Sequence, residues 1–245
     1  MSAGGDKTVF LWDVAAGNTI RRWTGHAGRI NAVSFAGVEE SVVVSGSWDG
    51  TAKLWDTKSN SYKPILVLDD AKDSVSDIAV SGEEIVVGSV DGKIRAYDLR
   101  MGECAVDTMG HAVTSVNVSK RGEEVLVSCL DSSVRLMDRG NGKLLKAYRD
   151  EGFVNTEMRV RSTLGMNDSV VVSGSEDETV VAWDLLEGTV LHRFRHSTMK
   201  EVTGQAVGGN ASKRDVVSDV AFCGVRDEWA SAGADGNVVV WGMGS

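Results

Sequence analysis

Short runs of apolar residues alternate with small and polar residues along the chain, and residues 26–56 show the pattern most clearly. The runs INAVSF at 30–35 and VVVSGS at 42–47 have the length and the β-branched composition of strands. The tripeptide WDG at 48–50 has the composition of a hairpin turn, and TAKLWD at 51–56 reads as a further strand. The pattern predicts three consecutive antiparallel strands.

A longer repeat organises these runs, because an Asp is followed six residues later by a large apolar residue six times. The pairs are Asp6 and Trp12, Asp49 and Trp55, Asp91 and Tyr97, Asp131 and Met137, Asp177 and Trp183, and Asp235 and Trp241. The apolar residues lie 43, 42, 40, 46 and 58 residues apart, which is the period of a four-stranded propeller blade with an insertion before the last. The prediction is an all-β protein in which residues 1–245 form a single β-propeller domain.

An Asp follows the large apolar residue in five of the six pairs, and in three of them the dipeptide is Trp-Asp. On this dipeptide and the repeat length, the chain is identified as a member of the WD-repeat family. That resemblance implies a hydrogen-bonded structural tetrad, here assigned to His26, Ser47, Asp49 and Trp55. Because a buried Asp requires hydrogen-bond partners, these residues are interpreted as structural and not as catalytic.

The other copies of this set are incomplete. Asp91 keeps Ser89 but has no His, Asp131 has Cys129 and Met137 in place of Ser and Trp, and the last copy has Gly at the Ser position. We expect these blades to make fewer hydrogen bonds and to depend on apolar packing between neighbouring blades.

Counting strands gives four complete blades and two partial ones. Residues 4–6 have the composition of the turn that follows a second strand, so the chain is expected to begin within a blade, without its first two strands, and to be N-terminally incomplete. Residues 197–215 are polar and contain Gly, and they are predicted to form an inserted surface loop. Residues 149–161 lack the Gly-His that is expected where a blade begins.

Composition narrows the class of protein. The chain has 26 Lys and Arg against 35 Asp and Glu, a net charge of −9, which disfavours broad binding to a phosphate backbone, so no direct sequence-specific nucleic-acid contact is predicted. Cys104, Cys129 and Cys223 show no metal-ligand spacing and are interpreted as reduced, buried thiols. No metal, cofactor or small-molecule substrate is expected. No apolar run approaches 18 residues, and the protein is predicted to lie in the cytoplasm and nucleus without membrane contact.

Several longer stretches resemble one group of WD-repeat proteins, the mitogen-activated protein kinase organizer 1 or WD repeat domain-containing protein 83 family. The resemblance is carried by GGDKTVFLWDVAAG at 4–17, LDDAKDSVSDIAV at 68–80, VGSVDGKIRAYDLRMGE at 87–103 and SGSEDETVVAWDLLEG at 173–188. It implies a seven-bladed propeller of somewhat greater length. It also implies a non-catalytic scaffold of the extracellular-signal-regulated kinase pathway that occurs in the spliceosome as well.

The predicted protein-binding surface lies on the face that carries the turns between second and third strands. Trp48, Val90 and Leu130 precede the turn Asp of three consecutive blades, and an apolar patch containing Trp is typical of an interface. The charged rim is assigned to Arg29, Asp70, Lys72 and Asp73. The alternative function is a reader of modified or phosphorylated peptides on the same face, as in a substrate-adaptor propeller.

An enzyme is the remaining hypothesis. The acidic pairs at 39–40, 83–84 and 123–124 occupy equivalent hairpins of different blades, so they are not expected to converge on one pocket as general acid–base catalysis requires. No phosphate-binding loop or nucleophile elbow is present. We therefore predict no catalytic residues.

Overall fold

The computed structural model describes residues 1–196, 216–225 and 228–242, and the loop predicted at 197–215 lies outside these ranges. The described strands form six sheets, four with four strands and two with three. Within the same ranges there is no α-helix, and a short 3-10 turn covers Val38–Glu40. The prediction of an all-β propeller fold with four complete and two partial blades is confirmed.

Two compact units divide the chain, Met1–Val116 and Asn117–Ser245. In the first unit the sheets have the orders β1-β2-β3, β4-β5-β6-β7 and β8-β9-β10-β11. Their strands are β1 (Ser2–Ala3), β2 (Thr8–Asp13), β3 (Asn18–Thr24), β4 (Ile30–Ala36), β5 (Val42–Ser47), β6 (Ala52–Asp56), β7 (Leu66–Leu68), β8 (Val75–Ser81), β9 (Glu84–Ser89), β10 (Lys93–Asp98) and β11 (Glu103–Thr108).

Strand β12 (Val113–Val118) spans the boundary between the units. The sheets here have the orders β12-β13-β14-β15, β16-β17-β18-β19 and β20-β21-β22, and within each sheet the consecutive strands of the second unit are antiparallel neighbours. They are β13 (Glu124–Cys129), β14 (Ser133–Asp138), β15 (Leu144–Tyr148), β16 (Ser162–Gly165), β17 (Val170–Gly174), β18 (Thr179–Asp184), β19 (Val190–Arg195), β20 (Val217–Cys223), β21 (Glu228–Gly233) and β22 (Val238–Trp241).

The N-terminal sheet differs from the expectation in one detail. β1 pairs antiparallel with β2, with Ser2 opposite Phe10 and Ala3 opposite Val9. The residues before the first turn therefore do form part of a second strand, which the two-residue length of β1 hid from the sequence pattern.

Neighbouring sheets of the first unit pack directly on each other. Val44 and Leu54 of one sheet are buried in the same cluster as Val75 and Ile78 of the next. Gly46 lies at this contact, where an added Cβ would stand 2.5 Å from Val75 and 2.8 Å from Ile78. A side chain at this position would separate the sheets, which explains the Gly of the VSGS strand.

In the second unit one apolar cluster contains Leu126, Leu136, Tyr148, Phe153 and Trp183, all of them buried. These residues come from two neighbouring sheets and from the segment between them. Among the described residues no helix is long and apolar enough to cross a membrane.

Candidate functional site

The predicted tetrad forms around His26, but with a different serine. His26 Nδ1 lies 2.9 Å from Asp49 Oδ2, and His26 Nε2 lies 2.8 Å from Ser45 Oγ. The indole Nε1–H of Trp55 donates to the same Ser45 Oγ at 2.8 Å. The assignment of Ser47 to this set is therefore wrong, and Ser45 connects the His to the Trp.

The antiparallel register explains the correction. Trp55 stands opposite Val43, so its ring reaches Ser45 two residues further along β5. Ser47 is four residues from Val43, roughly 13 Å at the rise of a strand. Its hydroxyl donates instead to Arg29 O at 2.9 Å. Ser47 thus fixes the loop that leads into β4.

The charge state of the tetrad follows from its burial. Desolvation lowers the pKa of His26 in spite of the nearby Asp49 carboxylate. The neutral ring then donates from Nδ1 to Asp49 and accepts from Ser45 at Nε2, a tautomer inferred from these partners. Burial acts to raise the pKa of Asp49, but hydrogen bonds from Thr51, His26 and the Ala27 backbone outweigh it and hold this pKa well below its ordinary value.

A second tetrad, which was not predicted from the sequence, lies at the last described sheet. His196 Nδ1 lies 3.1 Å from Ser231 Oγ, and Trp241 Nε1–H donates to that oxygen at 2.9 Å. His196 Nε2 is 3.7 Å from Asp235 Oδ1. The two residues before Asp235 are Gly233 and Ala234, and the position four before it holds the Ser, as in the first tetrad. The Ser four residues before the Asp, together with His196 just before the 197–215 segment, is the sequence signal from which this tetrad could have been predicted.

Arg takes the place of His in two of the blades that lack it, those of Asp91 and Asp131. Arg95 Nη2 lies 2.7 Å from Asp91 Oδ2, and both side chains are buried. Arg135 Nη2 lies 2.6 Å from Asp131 Oδ2, and Ser133 also donates to Asp131. The expectation of fewer hydrogen bonds in these blades is therefore wrong, because a guanidinium four residues after the Asp reaches it within the same hairpin.

The blade of Asp177 uses an aromatic residue instead. Phe153 is buried and packs edge-on against Trp183, with ring centroids 5.2 Å apart. The segment that carries Phe153 is held by the buried Glu176, whose Oε1 accepts the backbone N–H of Thr156 at 2.6 Å and of Met158 at 2.8 Å. Residues 149–161 therefore lack the Gly-His because Phe153 packs against Trp183 in place of the tetrad His.

The exposed residues of the predicted binding surface are centred on Trp48. Its side chain is 56% exposed, and the guanidinium carbon of Arg29 lies 4.0 Å from the centre of its ring. The backbone beneath is fixed, since Trp48 N–H donates to Arg29 O at 2.9 Å and Ala27 N–H to Asp49 at 2.8 Å. The tetrad thus holds the turn that presents the Trp.

The loop at residues 71–73 lies between the turns of Trp48 and Val90. An added Cβ on Gly50 would stand 3.5 Å from both Ala71 O and Asp73 O, and Lys72 N–H donates to Asp91 Oδ2 at 3.0 Å. These contacts bring five of the predicted residues onto one surface of the first unit. We call it the Trp48 surface, and it consists of Arg29, Trp48, Lys72, Asp73 and Val90.

The two other predicted residues have different surroundings. Asp70 is exposed and accepts a hydrogen bond from the Tyr97 hydroxyl at 3.1 Å. Leu130 is half-buried and belongs to the second unit, so the Trp48 surface is defined without it.

The cysteines follow the prediction in part. Cys129 is buried, and desolvation raises the pKa of its thiol to about 12. Cys104 and Cys223 are exposed, which corrects the expectation that all three are buried. Cys104 lies on β11, an outer strand whose side chains are mostly exposed. Within the described ranges, no cluster of His, Cys, Asp and Glu has the geometry of a metal site.

The sheets, the tetrads and the repeat of the turn Asp define the chain as a WD-repeat β-propeller. The family model for the Nucleolar protein 10-like, N-terminal domain matches residues 1–183. The WD repeat domain-containing protein 83 homolog of Dictyostelium discoideum is 30% identical over 251 residues, which cover 90% of this chain and 75% of that protein. The chain belongs to these two overlapping families, the Nucleolar protein 10-like propellers and the WD repeat domain-containing protein 83 proteins.

Two further relatives match over shorter stretches. WD repeat domain-containing protein 83 of Rattus norvegicus is 45% identical over 133 residues, 54% of this chain and 42% of the relative. A WD repeat-containing protein of Schizosaccharomyces pombe is 39% identical over 184 residues, 75% of this chain and 56% of the relative. The chain therefore spans about half the length of these two relatives.

Proposed function

We propose that this protein is a non-catalytic scaffold that assembles other proteins, and that the Trp48 surface is its principal contact. The observation that carries the proposal is a Trp that is 56% exposed while its turn is fixed by a buried hydrogen-bond network. A rigid, exposed Trp loses little conformational entropy when a partner buries it, which is the property of an interface hot spot.

The partners follow from the resemblance to the WD repeat domain-containing protein 83 family. We propose that its partners are components of a mitogen-activated protein kinase cascade and splicing factors. With such partners the protein would act in the cytoplasm and the nucleus. The acidic net charge of −9 agrees with protein partners rather than with broad contact to a nucleic-acid backbone.

The second candidate function is a reader of modified peptides on the same surface. Arg29 decides between its two forms, a reader of methylated lysine and a reader of phosphorylated peptides. The Arg29 guanidinium already covers the Trp48 ring at 4.0 Å, so that ring is not open to a methylated lysine, which needs free aromatic faces. A phosphorylated peptide agrees better, because Arg29 and Lys72 are both exposed cations of this surface.

The roles of His26 and Asp49 agree with a non-catalytic protein. Both nitrogens of His26 are occupied by Asp49 and Ser45, and the ring is buried. A general base needs access to the proton it removes, which these contacts do not provide.

Affinity purification from cells followed by mass spectrometry tests the proposal, using the tagged chain, its Trp48→Ala variant and its Tyr62→Ala variant. Tyr62 is a matched control, since it is also an exposed aromatic residue of the first unit but lies in the connection between β6 and β7. Trp48→Ala should weaken the capture of kinase-cascade proteins or splicing factors by roughly 30-fold, about 2 kcal/mol. The Tyr62 variant should retain them.

Thermal melts of the same samples separate binding from folding. Trp48→Ala should change the free energy of unfolding by no more than about 1 kcal/mol, since it removes a surface side chain and one cation–π contact. Unchanged capture by Trp48→Ala, or a large fall in its melting temperature, would refute the role of the Trp48 surface. Capture of neither protein group would refute the proposed partners.

A further inference from the structure

One packing rule recurs where neighbouring sheets meet within a unit. The large apolar residue of one sheet packs with two residues of the preceding sheet, which stand one and three positions before that sheet's own large apolar residue. Three junctions show the rule: Val9 and Leu11 share an apolar cluster with Trp55, Ala52 and Leu54 with Tyr97, and Val134 and Leu136 with Trp183. Each of these sheets therefore has two different faces, and a face of one kind is covered by a face of the other kind.

The N-terminal sheet leaves the face with its large apolar residue exposed. Trp12 is 41% exposed, whereas Trp55, at the same position of the repeat, is completely buried. Phe10 lies on the same face of β2 and stacks on Trp12, with ring centroids 5.6 Å apart. The guanidinium carbon of Arg22 lies 5.7 Å from the centre of the Phe10 ring, and Ser2 Oγ accepts the Trp12 Nε1–H at 2.9 Å. We call this the Trp12 face, and it consists of Ser2, Phe10, Trp12 and Arg22.

The C-terminal sheet, β20-β21-β22, exposes a face of the other kind. Val238 and Val240 stand three and one positions before Trp241, and they are 69% and 64% exposed. Ala52 and Leu54, at the same positions of the repeat, are buried. In the register of β21 and β22, Val238 pairs with Ala232 and Val240 with Ala230, so all four side chains lie on one face. We call this the Val240 face, and it consists of Ala230, Ala232, Val238 and Val240.

Neither face has the composition of a cap. The terminal repeats of a repeat array carry a polar outer face, which keeps the array soluble. Of the eight residues in the Trp12 face and the Val240 face, Arg22 is the only charged one, and it lies against an aromatic ring. Contiguous exposed apolar surface of this kind is typical of a protein–protein contact. We therefore expect both faces to be covered in the working protein.

The packing rule of the interior junctions says what fits the Trp12 face. Trp55 is covered by a face that presents Val9 and Leu11, and the Val240 face presents Val238 and Val240 at the same positions of the repeat. The backbone of this face can also be approached closely, because Ala232 stands at the repeat position of Gly46, where a neighbouring sheet packs directly on the backbone. A second copy of this chain therefore carries the face that the Trp12 face requires.

We propose that the protein associates with itself head to tail, with the Trp12 face of one copy packed against the Val240 face of another. The two faces differ, so the contact is heterologous, and each added copy brings a further free face. Such an assembly grows with concentration or closes into a ring. The contact does not involve the Trp48 surface, so it is independent of the proposed scaffold function.

Sedimentation velocity of the full chain over a wide range of micromolar concentrations tests the association. The mass should rise with concentration to at least that of two chains. Trp12→Glu and Val240→Glu each place a carboxylate in the apolar contact, where its burial without a partner is unfavourable. Each variant should weaken the association by about 30-fold or more, as the loss of an interface hot spot does.

Mixing the two variants tests the head-to-tail arrangement. The Trp12→Glu variant keeps an intact Val240 face, and the Val240→Glu variant keeps an intact Trp12 face. Their mixture should form a complex that contains one copy of each and grows no further, although each variant alone stays a single chain. A contact between two identical faces would not give this result.

Two controls carry the same change outside both faces. Val14 and Val225 are exposed valines in the turns that follow β2 and β20. Val14→Glu and Val225→Glu should associate like the original chain. Trp48→Ala should do so as well, whether or not the Trp48 surface binds a partner.

Each result supports the proposal or overturns it. An original chain that stays a single chain at all concentrations would overturn the self-association. Equal weakening by the controls, or none by the two face variants, would overturn the assignment to these faces, and a mixture without a complex would overturn the head-to-tail contact. Thermal melts check that the variants fold. If Trp12→Glu does not fold, Trp12→Ser takes its place in the mixture, and the original chain and Val240→Glu still decide the association.

Discussion

Ser45 is the residue on which the first tetrad depends, and its replacement by Ala gives the sharpest test of the structure. Its hydroxyl accepts from Trp55 Nε1 and contacts His26 Nε2, both at 2.8 Å. Ser45 is completely buried and Trp55 is as well, so water cannot replace the lost contacts without entering the core. Ser45→Ala leaves a buried donor and a buried acceptor without their partner.

The magnitude follows from these two groups. An unsatisfied buried polar group costs about 1–3 kcal/mol, so the expected loss in the free energy of unfolding is about 3 kcal/mol. In a chain of this size, that corresponds to a fall in melting temperature of roughly 6–12 °C. The loss is a large part of the stability of an ordinary domain.

Ser47→Ala is the matched control, because it removes the same atom from the same strand. The Ser47 hydroxyl donates to Arg29 O and accepts from the Asp49 N–H at 3.2 Å. Arg29 O still accepts the Trp48 N–H after the change, and Asp49 lies at a half-exposed turn. The expected loss is about 1 kcal/mol.

Urea denaturation of both variants and of the original chain measures the difference. A Trp55→Phe variant completes a double-mutant cycle, in which the combined loss with Ser45→Ala should be about 1 kcal/mol less than the sum of the separate losses. A Ser47→Ala loss equal to or larger than that of Ser45→Ala would contradict the assignment. Strict additivity in the cycle would contradict the Trp55 to Ser45 hydrogen bond.

Two further predictions concern charge. Arg95→Ala should lower the free energy of unfolding by about 3 kcal/mol, because it leaves Asp91 buried without its cation. Arg100→Ala breaks the exposed pair with Glu83 and should lower it by less than about 1 kcal/mol. Equal urea midpoints for the two variants would contradict the buried pair. Because the folded pKa of His26 lies below its ordinary value of 6.5, its stabilising contribution is complete above that pH and is lost as the pH falls, so His26→Gln should melt with a smaller decrease between about pH 7.5 and 5.5 than the original chain. An unaltered slope would show that other groups set the acid sensitivity.

The fold was predictable because its signal is repeated. The spacing of Asp and large apolar residue fixes the turn and the third strand of each blade, and the β-branched runs on either side supply the other strands. The turn itself explains the spacing. In five of the six pairs the Asp Oδ1 accepts the N–H of the residue two positions later, an Asx-turn that opens the third strand.

The side-chain partners were less predictable, since they depend on register and distance. Ser45 and Ser47 lie two residues apart on β5, so their side chains are on the same face of the sheet. Because Trp55 stands opposite Val43, its indole reaches Ser45 and not Ser47. His196 was overlooked because its Ser231 partner lies 35 residues away, whereas His26 and Ser45 are 19 apart. A local pattern does not register contacts that span an insertion of variable length.

The six turns together show which part of the tetrad is required. Oδ1 of the turn Asp accepts a backbone hydrogen bond within its own hairpin, which explains why an Asp is present in every copy. The other carboxylate oxygen, Oδ2, also needs a hydrogen-bond donor, and several kinds of side chain can supply it. His26 supplies it at Asp49, Arg95 at Asp91 and Arg135 at Asp131. In the Asp91 copy the Arg takes the place of the His side chain, while the preceding loop still donates a backbone N–H, from Lys72 to Asp91 Oδ2, as Ala27 does to Asp49. The carboxylate therefore needs the backbone of the loop at 71–73 and not its side chains, and the side chains of Lys72 and Asp73 belong to the Trp48 surface.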